Sequence, residues 1–151
     1  MTAHDRLAEL GITLPAAAAP AGSYVPSVRT GNLLFTAGQL PFVDGRLPAT
    51  GRVGAEVSPE DANGHARQAA LNVLAVVEAA VGLDNVERVV KVVGFVASAE
   101  GFTGQPGVIN GASDLFAEVF GAAGVHARSA VGVAELPLGS PVEVEAILQV
   151  K

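Results

Sequence analysis

The sequence predicts an α+β domain in which two main helices pack on one face of a mixed β-sheet. Three observations carry this. Segments of helical periodicity and β-branched runs follow one another in the order hairpin, helix, strand, helix, strand, strand. The apolar content is 50% against 16% charged residues, enough for a packed core. The chain has 151 residues and no internal repeat, the size of one ordinary domain.

Residues 3 to 10 read as a short helix with Leu7 and Leu10 on one face, a loosely attached preamble. The connection "LPAAAAPAGSYVP" carries three prolines and reads as extended or irregular. Residues 1–21 are thus expected to be an N-terminal helix and connection, and 22–151 a single domain. Two apolar runs, "YVPSV" and "NLLFTAG", flank Gly31-Asn32, a hairpin signal because both residues tolerate positive φ. Asp44-Gly45 marks a second turn.

"SPEDANGHARQAALNVLAVVEAAVG" is the clearest helix. Ser58 caps it, Pro59 suits its first position, Glu60 and Asp61 complement its dipole, and Gly82 ends it. Ala66, Ala70, Leu71, Leu74 and Val77 form its apolar face. The run from Val89 to Val96, interrupted only by Lys91, predicts a central strand covered on both faces. "GFTGQPG" reads as a loop and "VINGASDLFAEVFGAAG" as the second main helix. "RSAVGVAEL" and "PVEVEAILQV" close the chain, and the short link around Pro137-Leu138-Gly139 suggests that they pair as neighbours.

The composition also excludes. The net charge of −6, with nine Lys and Arg scattered along the chain, leaves no footprint for nucleic acid or an anionic membrane. There is no cysteine, hence no disulfide and no thiolate chemistry, and the three histidines show no metal-ligand spacing, so no metal is expected. Neither an export signal nor a run of membrane-spanning length is visible, and a cytoplasmic location is expected. The abundance of small apolar residues under so few charges hints that other subunits hide part of the surface.

In the last strand Val142, Val144, Ala146, Leu148 and Val150 alternate with Glu143, Glu145, Ile147 and Gln149. The first set suits the core. The second mixes two mutually repelling carboxylates with an isoleucine. On pattern alone the glutamates fit a solvated face, and Arg128 a charge at a strand end.

"ARSAVGVAELPLGSPVEVEA" closely resembles the C-terminal signature of the Rid (YjgF-type) family of enamine/imine deaminases. "NLLFTAGQLP", "HARQAALNVLAVVEAAVGL" and "VVKVVGFVAS" resemble that family's early hairpin, first helix and following strand, so the resemblance spans roughly 22 to 150. It implies a chorismate-mutase-like fold assembled as a homotrimer, with ligand clefts between subunits. It implies a cofactor-independent hydrolysis of 2-imino or 2-enamino acids, small carboxylates, to 2-keto acids and ammonia. Arg128 then stands where the substrate carboxylate is bound, and Glu143 where water is oriented or a proton shuttled. Tyr24 matches the tyrosine that closes the cleft, Asn110 an asparagine near the pocket, and Gly38 the floor. Two positions depart: Ala37 stands where the deaminating branch usually has Ser, and Ala130 where it often has Cys. His126 replaces the usual proline, either as a solvated turn residue or as a titratable group. Residues 102 to 110 read as a longer loop that reshapes the cleft mouth. These departures leave open a binding trimer without turnover, or a hydrolase with another substrate.

Overall fold

The computed structural model describes all 151 residues. Its elements are α1 (Ala3–Glu9), β1 (Ser27–Thr30), β2 (Leu33–Thr36), α2 (Pro59–Ala80), β3 (Val86–Ala97), α3 (Gln105–Phe120), β4 (Ala127–Val133) and β5 (Val142–Val150), with short 3-10 turns at 83–85, 121–124 and 137–139. The five strands form one sheet in the order β1-β2-β5-β3-β4. All pairs are antiparallel except β3 with β4.

The two expected turns form as read. Gly31 (φ 56°) takes the positive φ of the β1–β2 hairpin, and Asp44 and Gly45 (φ 51° and 79°) that of the second turn. Helix α2 starts where its capping signals lie, with the Ser58 hydroxyl accepting from the Asp61 amide at 3.1 Å. Ala66, Ala70, Leu74 and Val77 are buried against β5 and α3. The two main helices lie close because Gly111 of α3 has no side chain. A Cβ there would sit 2.0 Å from the Asn63 carbonyl oxygen of α2.

Four readings need correction. The last two strands are not neighbours: β3 lies between β4 and β5. The β3–α3–β4 unit is a crossover that sets β4 parallel beside β3, and the chain then crosses β3 to place β5 against β2. Strand β3 is interior, between β5 and β4, while β5 takes the middle of the sheet, and within the chain only one face of β3 is covered. Val89 and Val92 both face the helices because the register shifts by one residue between Val89 and Lys91, a bulge that leaves Val90 exposed. Residues 105–110 are helical rather than loop. Gly104 precedes α3 without a side-chain cap, and Pro106 sits in the first turn, where a missing N–H costs nothing.

The fourth concerns α1, which is docked rather than loose. Ala3 and Leu7 are buried in the main core, and the Arg6 Nε–H donates to the Glu118 carbonyl at 3.1 Å. His4 reaches Asp84 through Nδ1 at 2.8 Å and Glu78 through Nε2 at 3.0 Å, a pairing that satisfies both carboxylates only as imidazolium. The Asp84 hydrogen bond holds the His4 pKa above its ordinary 6.5, and the same bond holds Asp84 below the usual carboxylate value. The His4 contribution is fully present below 6.5 and is lost as pH rises through the raised folded-state value. Protection of the α1 amides against hydrogen exchange, corrected for intrinsic rates, is therefore expected to fall across that window. In His4→Ala it should be low and flat; a wild-type profile without this step overturns the assignment.

Candidate functional site

Buried polar contacts fix the stretch after β2. The Asn72 side-chain amide on α2 donates to the carbonyls of Leu40 (2.8 Å) and Phe42 (3.1 Å), and Gln39 pairs through its backbone with Val144 at 2.8 and 3.0 Å. Gly38 is thereby pressed against β5. A Cβ on it would lie 2.6 Å from Glu143 Oε2, so only glycine admits the carboxylate at this spot. Glu143, Gly38 and Tyr24 all line one cavity of about 310 Å³. Tyr24 is half exposed, its phenol oxygen accepting from the Ala21 amide at 3.1 Å. Ala37 adjoins this group, its N–H donating to Pro26 and its carbonyl accepting from Gln39 Nε2.

Glu143 is half-buried and has no hydrogen-bond donor in the chain. Burial pushes its pKa above 4.5, and the neighbouring Glu145 carboxylate pushes it further the same way. This is a carboxylate biased toward holding a proton and facing an open cavity, the character of a group that exchanges protons with a bound water.

Arg128 lies elsewhere. On β4 it pairs in register with Val92 of β3, which faces the helices, and its side chain reaches α3. Nη1 donates to Asn110 Oδ1 at 2.7 Å and to Ser113 Oγ at 3.2 Å. No carboxylate pairs with it, so its charge is uncompensated and the rest of the guanidinium fork is free. Ala130 lies two residues on, packed against the core with only a methyl group to offer. Asn110, at the end of the stretch read as a loop, stands in the second turn of α3, where its side-chain oxygen accepts from the arginine.

The expected residues thus form two groups. Tyr24, Ala37, Gly38 and Glu143 gather around the cavity, and Asn110, Arg128 and Ala130 around the β4–α3 edge. Glu143 projects from the sheet face opposite the helices, Arg128 from the helix-covered face, and β3 lies between their strands. One chain does not bring them together.

Several participants escaped the sequence reading. Ser113 bridges Arg128 and His126, three residues beyond Asn110 on the same helix face; that spacing is a signal that was there to use. His126 is not a solvated turn residue: its ring is bonded at both nitrogens, to the Gly124 carbonyl and to Ser113. The Ala18–Ala21 stretch and the Pro137-Leu138 turn wall the cavity. No periodicity marks either, since the first is irregular and the second depends on a left-handed Leu138 (φ 59°). No three His, Asp or Glu side chains converge as a metal-binding cluster, and no helix is long and apolar enough to cross a membrane.

Comparison with known proteins supplies the context. Residues 4–148 match the family model described as "YjgF/chorismate_mutase-like, putative endoribonuclease". The chain is 50% identical over 145 residues to protein TCP17 of Trypanosoma cruzi, covering 95% of this chain and 91% of that one. It is 39% identical over 131 residues to the 2-iminobutanoate/2-iminopropanoate deaminase of Escherichia coli, covering 87% and 90%. The crystal structure of protein Atu1372 from Agrobacterium tumefaciens superposes with a TM-score of 0.91 at 47% identity, over 99% of this chain and 92% of that one. With this sheet order and these matches spanning nearly its whole length, the chain belongs to the YjgF/chorismate-mutase-like family.

Proposed function

We propose that the protein is a cofactor-independent deaminase of small 2-imino or 2-enamino acids, acting as a homotrimer with each site shared between two subunits. The observation that carries this is the division of the site. A free anion-binding arginine and a free, proton-biased carboxylate lie on opposite faces of one sheet, so they meet only across copies. The face that bears Glu143 supports such an assembly. Val28, Phe35, Phe95, Val131 and Ile147 lie open or half-open on it, a contiguous apolar set of the kind that marks a protein interface.

In this reading the Arg128 fork of one subunit holds the substrate carboxylate. The Glu143 carboxylate of the next orients a water and takes its proton as the oxygen bonds to C2. That proton passes to nitrogen, the second proton of the water follows it as the C2–N bond breaks and the C2=O bond forms, and a 2-keto acid and ammonia leave. Tyr24 closes the cavity over the reacting carbon. The named activity of the Escherichia coli relative supports this chemistry. A second reading, ligand binding without turnover, has its own support: neither Ala37 nor Ala130 offers a side-chain polar group to a ligand.

The test is ammonia release from freshly generated 2-iminopropanoate and bulkier 2-imino acids, with uncatalysed decay subtracted, beside sedimentation mass. Acceleration by a species of three chains is expected. No acceleration with any side chain ends the deaminase reading, and a mass of one chain ends the shared site.

A further inference from the structure

We propose that His126 and Ser113 are positioning residues that aim the Arg128 guanidinium. This rests on the reading of Arg128 as the anion anchor and adds the device that holds it in place.

The bonds form a chain whose directions follow from the Gly124 carbonyl when the His126 ring is neutral. His126 Nδ1 lies 2.6 Å from the Gly124 carbonyl oxygen, which only accepts, so Nδ1 carries a hydrogen. The neutral ring then has only a lone pair at Nε2, 2.9 Å from Ser113 Oγ. With the ring in that form the Ser113 hydroxyl donates to Nε2. Its own lone pairs are left to receive Arg128 Nη1 at 3.2 Å, where Asn110 Oδ1 supplies a second acceptor at 2.7 Å. The chain starts from a rigid point: the imidazole meets the fully buried Phe116 ring edge-on at 5.9 Å between centroids. Asn110, Ser113 and Phe116 follow at three-residue spacing along one face of α3.

Without His126 the Ser113 hydroxyl would be free to turn to the helix carbonyl one turn back, as serines in helices do. The arginine would then lose its oriented acceptor. A long guanidinium side chain immobilised before the ligand arrives loses little further rotamer freedom on binding. Since only Nη1 is engaged, the rest of the fork remains available for a carboxylate.

The experiment compares wild type, Ser113→Ala, Ser113→Thr, His126→Phe, the double variant Ser113→Ala/His126→Phe, and Arg128→Ala. Folding is checked by Tm. His126→Phe keeps a ring against Phe116 and removes both hydrogen bonds. The first readout is the NMR order parameter of the Arg128 Nε–H group, which needs no ligand: rigid in wild type and Ser113→Thr, mobile in Ser113→Ala and His126→Phe. The second is the affinity for 2-oxobutanoate by calorimetry, expected to weaken about tenfold in either single variant, the worth of one hydrogen bond to a charged group. The double variant should be no worse than either single one, because His126 acts through Ser113. An arginine equally rigid, or equally mobile, in wild type and variants overturns the inference, as do additive losses. Should His126→Phe not fold, Ser113→Ala against Ser113→Thr decides by the same readouts. Loss of affinity in Arg128→Ala with none in the Ser113 and His126 variants refutes the positioning role alone. Unchanged affinity in Arg128→Ala refutes the anchor reading instead.

Discussion

Arg128→Ala is expected to remove turnover and ligand binding while leaving the fold intact. The guanidinium makes no ion pair, and its only partners are the side chains of Asn110 and Ser113 on the partly exposed edge of α3. Truncation frees one amide oxygen and one hydroxyl that water can reach, so the stability change should stay within about 0.5 kcal/mol. Binding suffers differently. Two charge-assisted hydrogen bonds to a substrate carboxylate are worth about 1.5–3 kcal/mol each, so kcat/KM should drop by roughly 10² to 10⁴. Arg128→Lys should fall in between, because an ammonium keeps the charge but not the fork. Steady-state ammonia release and thermal melts on the same preparations decide it. A variant that keeps its activity, or one that loses activity only because it melts early, removes Arg128 from the site.

How much of this was legible depended on whether the signal was local. Helix α2 carried its own cap, proline and dipole charges, and its limits fell where Ser58 and Gly82 put them. Strand β5 announced its core face by strict alternation, and all five residues of that set are buried. The pairing of β4 was not local. A short link ordinarily joins neighbours, and nothing between Val133 and Val142 records that β3 already occupies the place beside β4. The start of α3 was hidden for the opposite reason: Gly104, Pro106 and Gly107 look like breakers, although a proline in the first turn breaks no hydrogen bond. For the site, the residue types came from the resemblance, and the alternation of β5 placed Glu143 on the open face. That Arg128 faces the helices follows only from the parallel register with Val92. The resemblance implied clefts between subunits, but the placement of Arg128 and Glu143 on opposite faces of the sheet was not legible in the residue pattern, nor was the bridging position of Ser113.

Glu143→Gln is expected to separate activity from stability in opposite directions. In the folded chain burial raises the pKa of this carboxyl above 4.5, with Glu145 adding to the shift, so its ionised form is disfavoured where it stands. The native state consequently holds the proton to higher pH than the unfolded chain. The stability linked to that proton is present below the unfolded pKa and is lost as pH rises through the folded one. In the separated chain, where no neighbouring Arg128 cation faces the carboxyl, wild type carries this deficit at neutral pH and the neutral glutamine does not, so the variant should melt at a higher temperature under dissociating conditions. The gap should close as pH falls below 4.5. Turnover should move the other way, because an amide cannot take a proton from water: kcat is expected to fall by about 10² to 10⁴. KM should change little, since in the proposed site the substrate is held by Arg128 of a neighbouring copy rather than by Glu143. Melting curves across pH, run beside kcat and KM, test both halves. A separated variant chain less stable than wild type at neutral pH removes the desolvation argument. One with undiminished kcat removes Glu143 from the chemistry and leaves the cavity as a binding site only.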